Sequence, residues 1–384
     1  MAQVDAVVIG AGIVGAFCAR ALTLAGVGVT VVDQGSVAAG TTGAGEGNVL
    51  VSDKELGPEL ELALLSHRLW RQVIPDLPRD VEWEPKGGLV VATTEDGERS
   101  LRELADAQHA AGVVTEAADG AGCRELEPAL GACVLGGVFY PQDMQVMPVL
   151  AAAAALGDAK KRGARVCTGV TVTAISTDSS GVSGVRTTAG EISTRIVVNA
   201  AGTWAADVAR LAGARLPIEP RRGFILVTEP MPKLVRHKVY DADYVVNVAS
   251  GDAGLQLSTV VEGTHSGTVL IGASRERVGF DSRMRYDVLA QLAQRAVRLF
   301  PPLGKMRALR AYKGFRPYCP DHLPAIGADP DVGGLWHAAG HEGAGIGLAP
   351  ATGLLIAQLV TGQPPAIDPA PFAPGRPALQ KAST

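Results

Sequence analysis

Three glycines near the N-terminus are spaced so that backbone N–H groups could bind phosphate. Gly10, Gly12 and Gly15 form the pattern GxGxxG directly after the apolar residues 6–9. At such a turn the first glycine permits tight bending, the second lets a pyrophosphate approach the backbone, and the third lets the following helix lie close to the strand. The N-terminus of that helix also presents unpaired N–H groups and partial positive charge. The spacing predicts a dinucleotide site.

An acidic residue completes this predicted site. The helix after the turn stops at Gly26, a second apolar run covers residues 29–32, and Asp33 comes next. A carboxylate at the end of that strand can accept hydrogen bonds from the ribose hydroxyls of an adenosine. Because strand, turn, helix, strand and acid occur in this order, residues 6–33 are typical of a βαβ unit. The alternative is an incidental glycine turn with Asp33 as an ordinary turn residue, and the motif alone does not distinguish NAD from FAD.

A second glycine-rich stretch follows at residues 40–48, with the sequence GTTGAGEGN. It contains too much glycine for a regular helix or strand, and such a backbone can approach a ligand closely. A flexible loop without a ligand is the alternative. Apolar residues at helical spacing then predict a helix over residues 58–73, and His67 should be exposed on its polar face.

Composition excludes several classes of function. The net charge is −4 without a basic run, so we expect no nucleic-acid partner. No apolar stretch reaches transmembrane length and no secretory signal is visible, so we expect a cytoplasmic protein. The five cysteines are scattered without a CxxC pair, which argues against a disulfide framework or a metal site.

The remaining pattern predicts an α/β protein with two kinds of sheet. Helices are predicted over residues 95–111, 148–163, 286–300 and 348–359, and strands over residues 83–93, 136–141, 165–175, 181–188, 195–204, 221–229, 240–248, 255–261, 268–273 and 310–317. Strands alternate with helices at the N-terminus, which predicts a Rossmann-type nucleotide-binding domain, whereas the later run of strands predicts a mostly antiparallel, α+β substrate domain. Residues 165–175 and 181–188 should form a small hairpin, and the last twenty or so residues a loose tail.

The predicted domains are discontinuous. We assign residues 1–85, 146–216 and 313–384 to the nucleotide-binding domain, because residues 195–204 return as a buried strand that runs into a glycine turn. Residues 86–145 and 217–312 are assigned to the substrate-binding domain.

Four segments together resemble the D-amino-acid-oxidase-like family of FAD oxidoreductases, which includes glycine oxidase, sarcosine oxidase and the FAD subunits of several amine dehydrogenases. They are GAGIVG with Asp33, VVNAAGTWA at residues 197–205, LIGASRE at residues 270–276, and the pair GFRPYCPDHLPAIG and GHEGAGIGLAPATG at residues 314–327 and 340–353. The resemblance runs from the first strand to about Gly362. It implies that the dinucleotide is FAD.

The resemblance, together with the glycine motif, implies a set of cofactor-binding residues with mostly small side chains. They are Gly10, Gly12, Ile13, Val14, Gly15, Asp33, Gln34, Gly40, Thr41, Thr42, Gly45, Gly47, Asn48, Val172, Ala201, Gly202, Trp204, Gly314, Gly340, Glu342, Gly343, Ala344, Gly345, Ile346 and Gly347. Backbone N–H groups of residues 343–347 would lie near the flavin pyrimidine ring, where a helix N-terminus stabilises negative charge. Some family members tether flavin through a cysteine at about the position of Gly314, so we expect non-covalent FAD and interpret Cys319 as a packing residue.

The family pattern FRP implies that Arg316 binds the substrate carboxylate. A planar guanidinium matches a carboxylate through two parallel charge-assisted hydrogen bonds. The alternative is a structural ion pair, for instance with Asp321. Tyr240 and Tyr244, on the predicted substrate sheet, could bind the carboxylate or cover the pocket, or they are ordinary half-buried strand residues. His341 could tune the flavin, and a structural role is equally open.

The resemblance implies that the substrate Cα gives a hydride to flavin N5 and that the resulting imine hydrolyses. The substrate would be an amino acid or N-substituted amino acid of the D-amino acid, glycine or sarcosine, cyclic imino acid or opine type. The GTTGAGEGN and GHEGAGIGLAPATG segments resemble those of the FAD subunits of amine and opine dehydrogenases more than those of the vertebrate-type oxidase. We therefore favour a dehydrogenase that passes electrons to a partner subunit or a quinone, and we expect an oligomer.

Several alternatives stay open. A self-sufficient oxidase would produce hydrogen peroxide, and Lys313 or Arg275 could then supply a positive charge beside N5. A nicotinamide dehydrogenase would not require the C-terminal glycine block. A flavin monooxygenase usually carries a Gly-Asp-Ala motif, whereas this chain has Gly327-Ala328-Asp329 in a different order. A non-catalytic, FAD-bearing subunit is the remaining possibility.

Overall fold

The computed structural model of the protein describes residues 2–242, 244 and 250–382. One layer is a six-stranded sheet. Its strands, in spatial order, are β19 (Ala325–Ala328), β20 (Leu335–Ala339), β13 (Ile196–Asn199), β2 (Ala6–Ile9), β3 (Val29–Asp33) and β9 (Arg165–Thr168). Neighbouring strands pair in parallel except for β19 and β20. This is the predicted Rossmann-type sheet.

Helices bury this sheet on its faces, which explains its apolar sequence. All four residues of β2 are buried, as expected for an inner strand of a covered parallel sheet. Helix α1 (Ile13–Leu24) contacts both α5 (Pro148–Lys161) and α8 (Gly345–Thr361). The approach of α8 is close, since a Cβ built on Gly353 would lie 2.5 Å from the carbonyl oxygen of Phe17.

The second layer is an eight-stranded sheet. Its strands, in spatial order, are β18 (Ala308–Tyr318), β14 (Glu219–Thr228), β17 (Val269–Arg275), β16 (Gln256–Gly263), β15 (Lys238–Asp241), β5 (Gly88–Ala92), β7 (Gly136–Tyr140) and β6 (Glu116–Asp119). Pairing is antiparallel except between β15 and β5. Helix α7 (Tyr286–Leu299) lies on this sheet through buried side chains that include Val288 and Leu292.

The remaining elements connect these layers. A four-stranded sheet contains β1 (Ala2–Gln3), β12 (Gly190–Ser193), β11 (Gly181–Thr187) and β10 (Val172–Asp178), and β4 (Asn48–Val49) pairs with β8 (Met144–Gln145). The other helices are α2 (Pro58–Val73), α3 (Glu95–Ala110), α4 (Gly120–Leu126), α6 (Ala205–Arg210) and α9 (Pro377–Ala382). In the part of the chain that the structure describes, no helix is long and apolar enough to span a membrane.

Two of the strand predictions are wrong, one in its pairing and one in its C-terminal limit. Residues 165–175 do not form one arm of a hairpin, because β9 pairs with β3 in the six-stranded sheet and only β10 forms the hairpin with β11. The strand predicted over residues 240–248 ends at Asp241, and Tyr244 is helical. Residues 243 and 245–249 lie outside the described residues. The proposed boundary between residues 312 and 313 falls inside β18.

Two predictions of exposure were also wrong. His67 is buried, because the chain near Gln142 covers it and the Gln142 carbonyl oxygen contacts its ring nitrogen Nε2. The C-terminal residues are not a loose tail. Phe372 and Leu379 are buried, and the Arg376 guanidinium hydrogen-bonds Asp321 at 2.6 and 2.8 Å.

Candidate active site

The glycine turn after β2 is tight on every side. Gly10 has φ +117°, and a Cβ built there would lie 2.3 Å from the carbonyl oxygen of Ala200. A Cβ on Gly15 would lie 2.0 Å from the carbonyl oxygen of Gly10, so α1 rests directly on the turn. Gly12 is the N-cap of α1. The spacing of these glycines is therefore a steric requirement, and it brings the helix N-terminus to a cavity.

Asp33 lies at the end of β3 beside this turn. Its Oδ2 accepts a hydrogen bond from the Ala11 N–H at 2.7 Å, and its Oδ1 accepts one from the Gly35 N–H at 2.7 Å. An ionised carboxylate has about four acceptor positions, so both oxygens can still accept from ribose hydroxyls. The side chain lines the cavity together with Gln34.

The glycine-rich segment 40–48 forms a second wall, and its residues Thr41–Ala44 form a short 3-10 turn. The Thr42 Oγ1 accepts a hydrogen bond from the Ile13 N–H at 3.0 Å, which fixes the segment to the start of α1. The Thr41 hydroxyl donates to the Phe315 carbonyl oxygen at 2.7 Å, which fixes it to β18. The segment is thus held between the two sheets rather than being a free loop.

These walls enclose a cavity of about 600 Å³. Predicted site residues that line it are Gly10, Gly12, Ile13, Val14, Asp33, Gln34, Gly40, Thr41, Thr42, Gly45, Gly47, Asn48, Val172, Ala201, Gly202, Trp204, Tyr244, Gly314, Arg316, His341, Glu342, Gly343, Gly345 and Ile346. The volume falls within the range of roughly 300–1,000 Å³ typical of small-molecule and cofactor sites.

Five predicted site residues do not line this cavity: Gly15, Tyr240, Gly340, Ala344 and Gly347. Tyr240 is completely buried, its hydroxyl donates to Ser52 Oγ at 2.5 Å, and its ring packs against that of Tyr244 at 4.9 Å between ring centres. The glycines serve close packing instead. Gly15 lies on the turn, a Cβ on Gly340 would lie 2.8 Å from Ile218 Cδ1, and one on Gly347 would lie 3.4 Å from the Asn48 carbonyl oxygen.

The sequence interpretation missed other residues of the wall. They are Ile9, Val32, Gly35, Ala39, Ala44, Glu46, Val170, Thr171, Ala200, Asp207, Val208, Leu211, Gly223, Ile225, Phe315, Pro317 and Ala338. Glu46 and Phe315 lie inside the motif segments at residues 40–48 and 314–327, so their position within a motif could have identified them as wall residues. Residues such as Gly223 and Ile225 come from β14 and carry no local signal.

Arg316 lies at the wall formed by the eight-stranded sheet. Its Nη1 donates to the Ser274 carbonyl oxygen at 2.9 Å, and a Cβ on Gly223 would lie 2.2 Å from that nitrogen. Burial and the neighbouring Arg275 lower the pKa of Arg316 to about 10, so the guanidinium remains charged at neutral pH. Among the described residues none forms an ion pair with it, and the predicted alternative is wrong because Asp321 pairs with Arg376.

Tyr244 lines the cavity beside this arginine. The Arg275 guanidinium carbon lies 4.5 Å from the centre of the Tyr244 ring, a favourable cation–π distance. Arg275 itself does not line the main cavity. Lys313 is also absent from its wall and instead lines a neighbouring cavity of about 870 Å³ on the other side of the glycine-rich segment.

His341 and Glu342 occupy the wall where α8 begins. His341 is buried, its Nε2 lies 2.9 Å from Thr352 Oγ1, and burial lowers its pKa to about 3, so the ring is neutral. Glu342 has φ +47° and accepts from Arg221 Nη1 at 3.1 Å, while His322 Nδ1 lies 2.8 Å from its other oxygen. These contacts hold the glycine block 343–345 against the cavity.

The wall residues fit a dinucleotide such as FAD. Glycines face the space at Gly10, Gly12, Gly45 and Gly202, and a helix N-terminus and an acidic residue lie in the positions that phosphate and ribose require. Nothing among the described residues resembles a metal site, since no three His, Cys, Asp or Glu side chains converge on one point.

Comparison with known families settles the class of the protein. The sequence profile described as FAD dependent oxidoreductase matches residues 5–359, which is most of the chain. The chain belongs to this family. The resemblance predicted from the four motif segments is therefore confirmed, and this FAD-dependent oxidoreductase is an enzyme that uses FAD.

This oxidoreductase is similar to relatives over most of its length. Glycine oxidase of Geobacillus kaustophilus is 32% identical over 380 residues, which cover 96% of each chain. Hydrogen cyanide synthase subunit HcnC of Pseudomonas aeruginosa is 33% identical over 325 residues, covering 82% of this chain and 74% of the relative. The crystal structure of the Geobacillus glycine oxidase superposes with a TM-score of 0.89 at 28% identity over 98% of this chain and 99% of that one.

Replacing Asp33 with alanine in this oxidoreductase should weaken FAD binding by about 1–3 kcal/mol, because the predicted ribose acceptor is lost together with two backbone hydrogen bonds. Titration of the apoprotein with FAD measures the change. Asp5→Ala is the matched control, since Asp5 also accepts a backbone hydrogen bond, from the Gly28 N–H at 2.7 Å, but does not line the cavity. Equal FAD affinity in wild type and Asp33→Ala would exclude Asp33 as the ribose ligand.

Proposed function

We propose that this oxidoreductase oxidises the C–N bond of an amino acid or N-substituted amino acid and passes the electrons to a partner protein or a quinone. The position of Arg316 at the cavity wall is the observation that supports a substrate with a carboxylate. Its charged guanidinium lies at the cavity wall, and among the described residues its one hydrogen-bond partner is the backbone carbonyl oxygen of Ser274. Among the described residues no carboxylate forms a direct ion pair with this buried charge, and a substrate carboxylate would stabilise it through two parallel hydrogen bonds.

The residues of the cavity divide by role in this proposal. Asp33 and the turn at Gly10 and Gly12 would hold the adenosine and pyrophosphate, and Gly343 and Gly345 would face the flavin ring. When bound, FAD supplies the hydride acceptor. Arg316 orients the substrate so that its Cα–H bond points into the cavity, which is the alignment that the chemistry requires from the protein. We propose that FAD is held without a covalent bond, since Gly314 offers no side chain and Cys319 is fully buried.

The environment of His341 favours a structural role that does not involve proton transfer. Its pKa of about 3 keeps it neutral at physiological pH, and its Nε2 is engaged with Thr352. We therefore propose that it fixes the start of α8 beside the flavin-facing glycines. Tyr244, stacked on Arg275, would form the side of the substrate pocket that covers Arg316.

The electron acceptor is the second part of the proposal. The relative HcnC is a subunit of a synthase, and a subunit of such an assembly can pass electrons onward. Neither Lys313 nor Arg275, the two cations considered as promoters of the oxygen reaction, lines the main cavity. A second candidate is a self-sufficient oxidase, which the likeness to glycine oxidase over the whole chain favours. We also propose a cytoplasmic location and an oligomeric state.

Stopped-flow spectroscopy distinguishes these candidates. Enzyme reduced by substrate should be reoxidised slowly by aerated buffer and quickly by an artificial acceptor dye, because the cavity wall lacks both of the cations considered for oxygen activation. The measured quantity is the rate at which the flavin absorbance returns. Rapid return in aerated buffer, with one hydrogen peroxide formed per flavin, would establish the oxidase instead.

A further inference from the structure

Glu46 is an acidic residue of the cavity wall that the roles above leave unused. It lies in the glycine-rich segment between Gly45 and Gly47, and it lines the cavity with them. Its side chain is only 10% exposed. A carboxylate buried to this degree beside a ligand cavity needs an explanation, because burying a charge is costly unless it is paired.

Glu46 and Arg316 lie over the same face of the eight-stranded sheet. A Cβ on Gly223 would lie 2.2 Å from Arg316 Nη1, and a Cβ on Gly272 would lie 2.7 Å from Glu46 Oε1 and 2.9 Å from Ile225 Cδ1. Gly223 and Ile225 are two residues apart on β14, a separation of about 7 Å along a strand. The missing side chains at the two glycines thus leave adjacent places for one positive and one negative group.

The two carboxylate oxygens of Glu46 have different environments. Oε2 accepts hydrogen bonds from Asn48 Nδ2 at 2.9 Å and from Lys238 Nζ at 3.2 Å. Oε1 is buried, and no donor among the described residues reaches it. Lys238 is shared, since its ammonium group also lies 3.4 Å from Glu262. One oxygen of a charged group therefore lacks the donor that a buried carboxylate requires.

Neighbouring charges keep Glu46 ionised. Burial by itself would raise the pKa of this carboxyl, but Lys238 and Arg316 outweigh burial and the pKa is lowered. The group is a carboxylate at neutral pH, and it lies near the Arg316 guanidinium, which forms no direct ion pair with any described carboxylate. Beside the eight-stranded sheet, the cavity wall therefore presents a negatively charged acceptor, Glu46, and a positively charged donor, Arg316.

We propose that Glu46 binds the nitrogen of the substrate, so that the cavity recognises an amino acid zwitterion through two opposite charges. Arg316 takes the carboxylate, and Glu46 Oε1 turns toward the cavity to accept from the positively charged nitrogen. This inference rests on the proposed function, because it takes Arg316 to be the carboxylate ligand. It narrows the substrate class to compounds with a basic nitrogen next to the carboxylate, and it disfavours 2-hydroxy acids of the same shape.

Two inert ligands of equal shape test this directly. In 2-aminoisobutyrate no hydrogen is present on Cα, so it cannot be oxidised, and trimethylacetate replaces its ammonium group with a methyl group. Binding is measured from the change that each ligand causes in the flavin absorbance of the holoenzyme. Wild type should bind 2-aminoisobutyrate more tightly. Glu46→Gln should weaken 2-aminoisobutyrate by about tenfold or more and should leave trimethylacetate unchanged or tighter.

Controls separate this role from a structural one. Glu262→Gln removes the other carboxylate beside Lys238 without altering the cavity wall, so it should preserve the preference for 2-aminoisobutyrate. The proposal is overturned if Glu46→Gln weakens both ligands equally, if Glu262→Gln abolishes the preference, or if wild type shows no preference at all. Glu46→Asp, which keeps the charge, should retain part of the preference. Arg316→Leu tests the proposed function separately. If this variant bound trimethylacetate as tightly as wild type, Arg316 would not be the carboxylate ligand.

Discussion

Replacing Arg316 with leucine should lower kcat/KM for the amino acid substrate by roughly two orders of magnitude or more, with FAD content preserved. The change removes the proposed charge-assisted bidentate contact with the substrate carboxylate and leaves Asp33 and the glycine turn unchanged. Leucine fills part of the volume over Gly223, so the sheet should keep its register. The measurement is steady-state kinetics per bound flavin, together with the ratio of flavin to protein.

Arg310→Leu is the matched control for this variant. Arg310 lies on the same strand, β18, but it is exposed and lines only the neighbouring cavity. Its kinetics should stay close to those of wild type. If Arg316→Leu lost its flavin and kept normal turnover in the fraction that retained it, Arg316 would be a structural residue and the substrate class would have to be reconsidered.

Replacing Gly10 with alanine should abolish FAD retention and lower the free energy of unfolding by on the order of 3 kcal/mol. The new Cβ would lie 2.3 Å from the Ala200 carbonyl oxygen, so the turn would have to move away from β13. The residue would also be held at φ +117°, which alanine rarely adopts. Chemical denaturation of the apoprotein and FAD titration measure the two effects.

Gly213→Ala isolates the contribution of the backbone angle. Gly213 has φ +77°, and a Cβ there would meet no atom within 4 Å. This variant should lose only about 1–2 kcal/mol of stability and should bind FAD normally. Equal losses in the two variants would show that the contact with Ala200 is unimportant.

Local sequence predicted the nucleotide end of the molecule well, for a physical reason. The strand Ala6–Ile9, the turn and Asp33 interact over short stretches of chain, so spacing and residue type carry most of the information. Helix α2 was predicted with its observed limits because a long amphipathic pattern specifies both ends. The family resemblance then supplied FAD, which the glycine motif alone could not.

The errors arose where distant segments decide the outcome. His67 lies on the polar face of α2, and the distant residue Gln142 contacts its ring in the folded chain. The C-terminal residues have a composition typical of a loose tail, but Arg376 reaches Asp321 across 55 residues of sequence. Tyr240 lies in a strand of the eight-stranded sheet, but strand alternation does not reveal which face meets the cavity, and its hydroxyl donates a hydrogen bond to Ser52 instead.

Glu46 shows the same limit at the site itself. The glycine-rich segment was marked as a ligand wall, but nothing in GTTGAGEGN reveals that the carboxylate would lie over Gly272 beside Arg316. That placement depends on the approach of β14 and β17, which begin at residues 219 and 269, far along the chain from the segment. The charges of Glu46 and Arg316 come close together only when the chain folds.

Anaerobic mixing of the holoenzyme with matched substrates tests the central claim most directly. Each pair should contain an amino acid or N-substituted amino acid and the corresponding amine without its carboxylate, and the signal is loss of the oxidised flavin absorbance. We predict that at least one amino acid reduces the flavin and that its carboxylate-free partner does so far more slowly, because Arg316 then has no ligand. Equal reduction by the two members of a pair, or reduction by a nicotinamide alone, would contradict the proposed function.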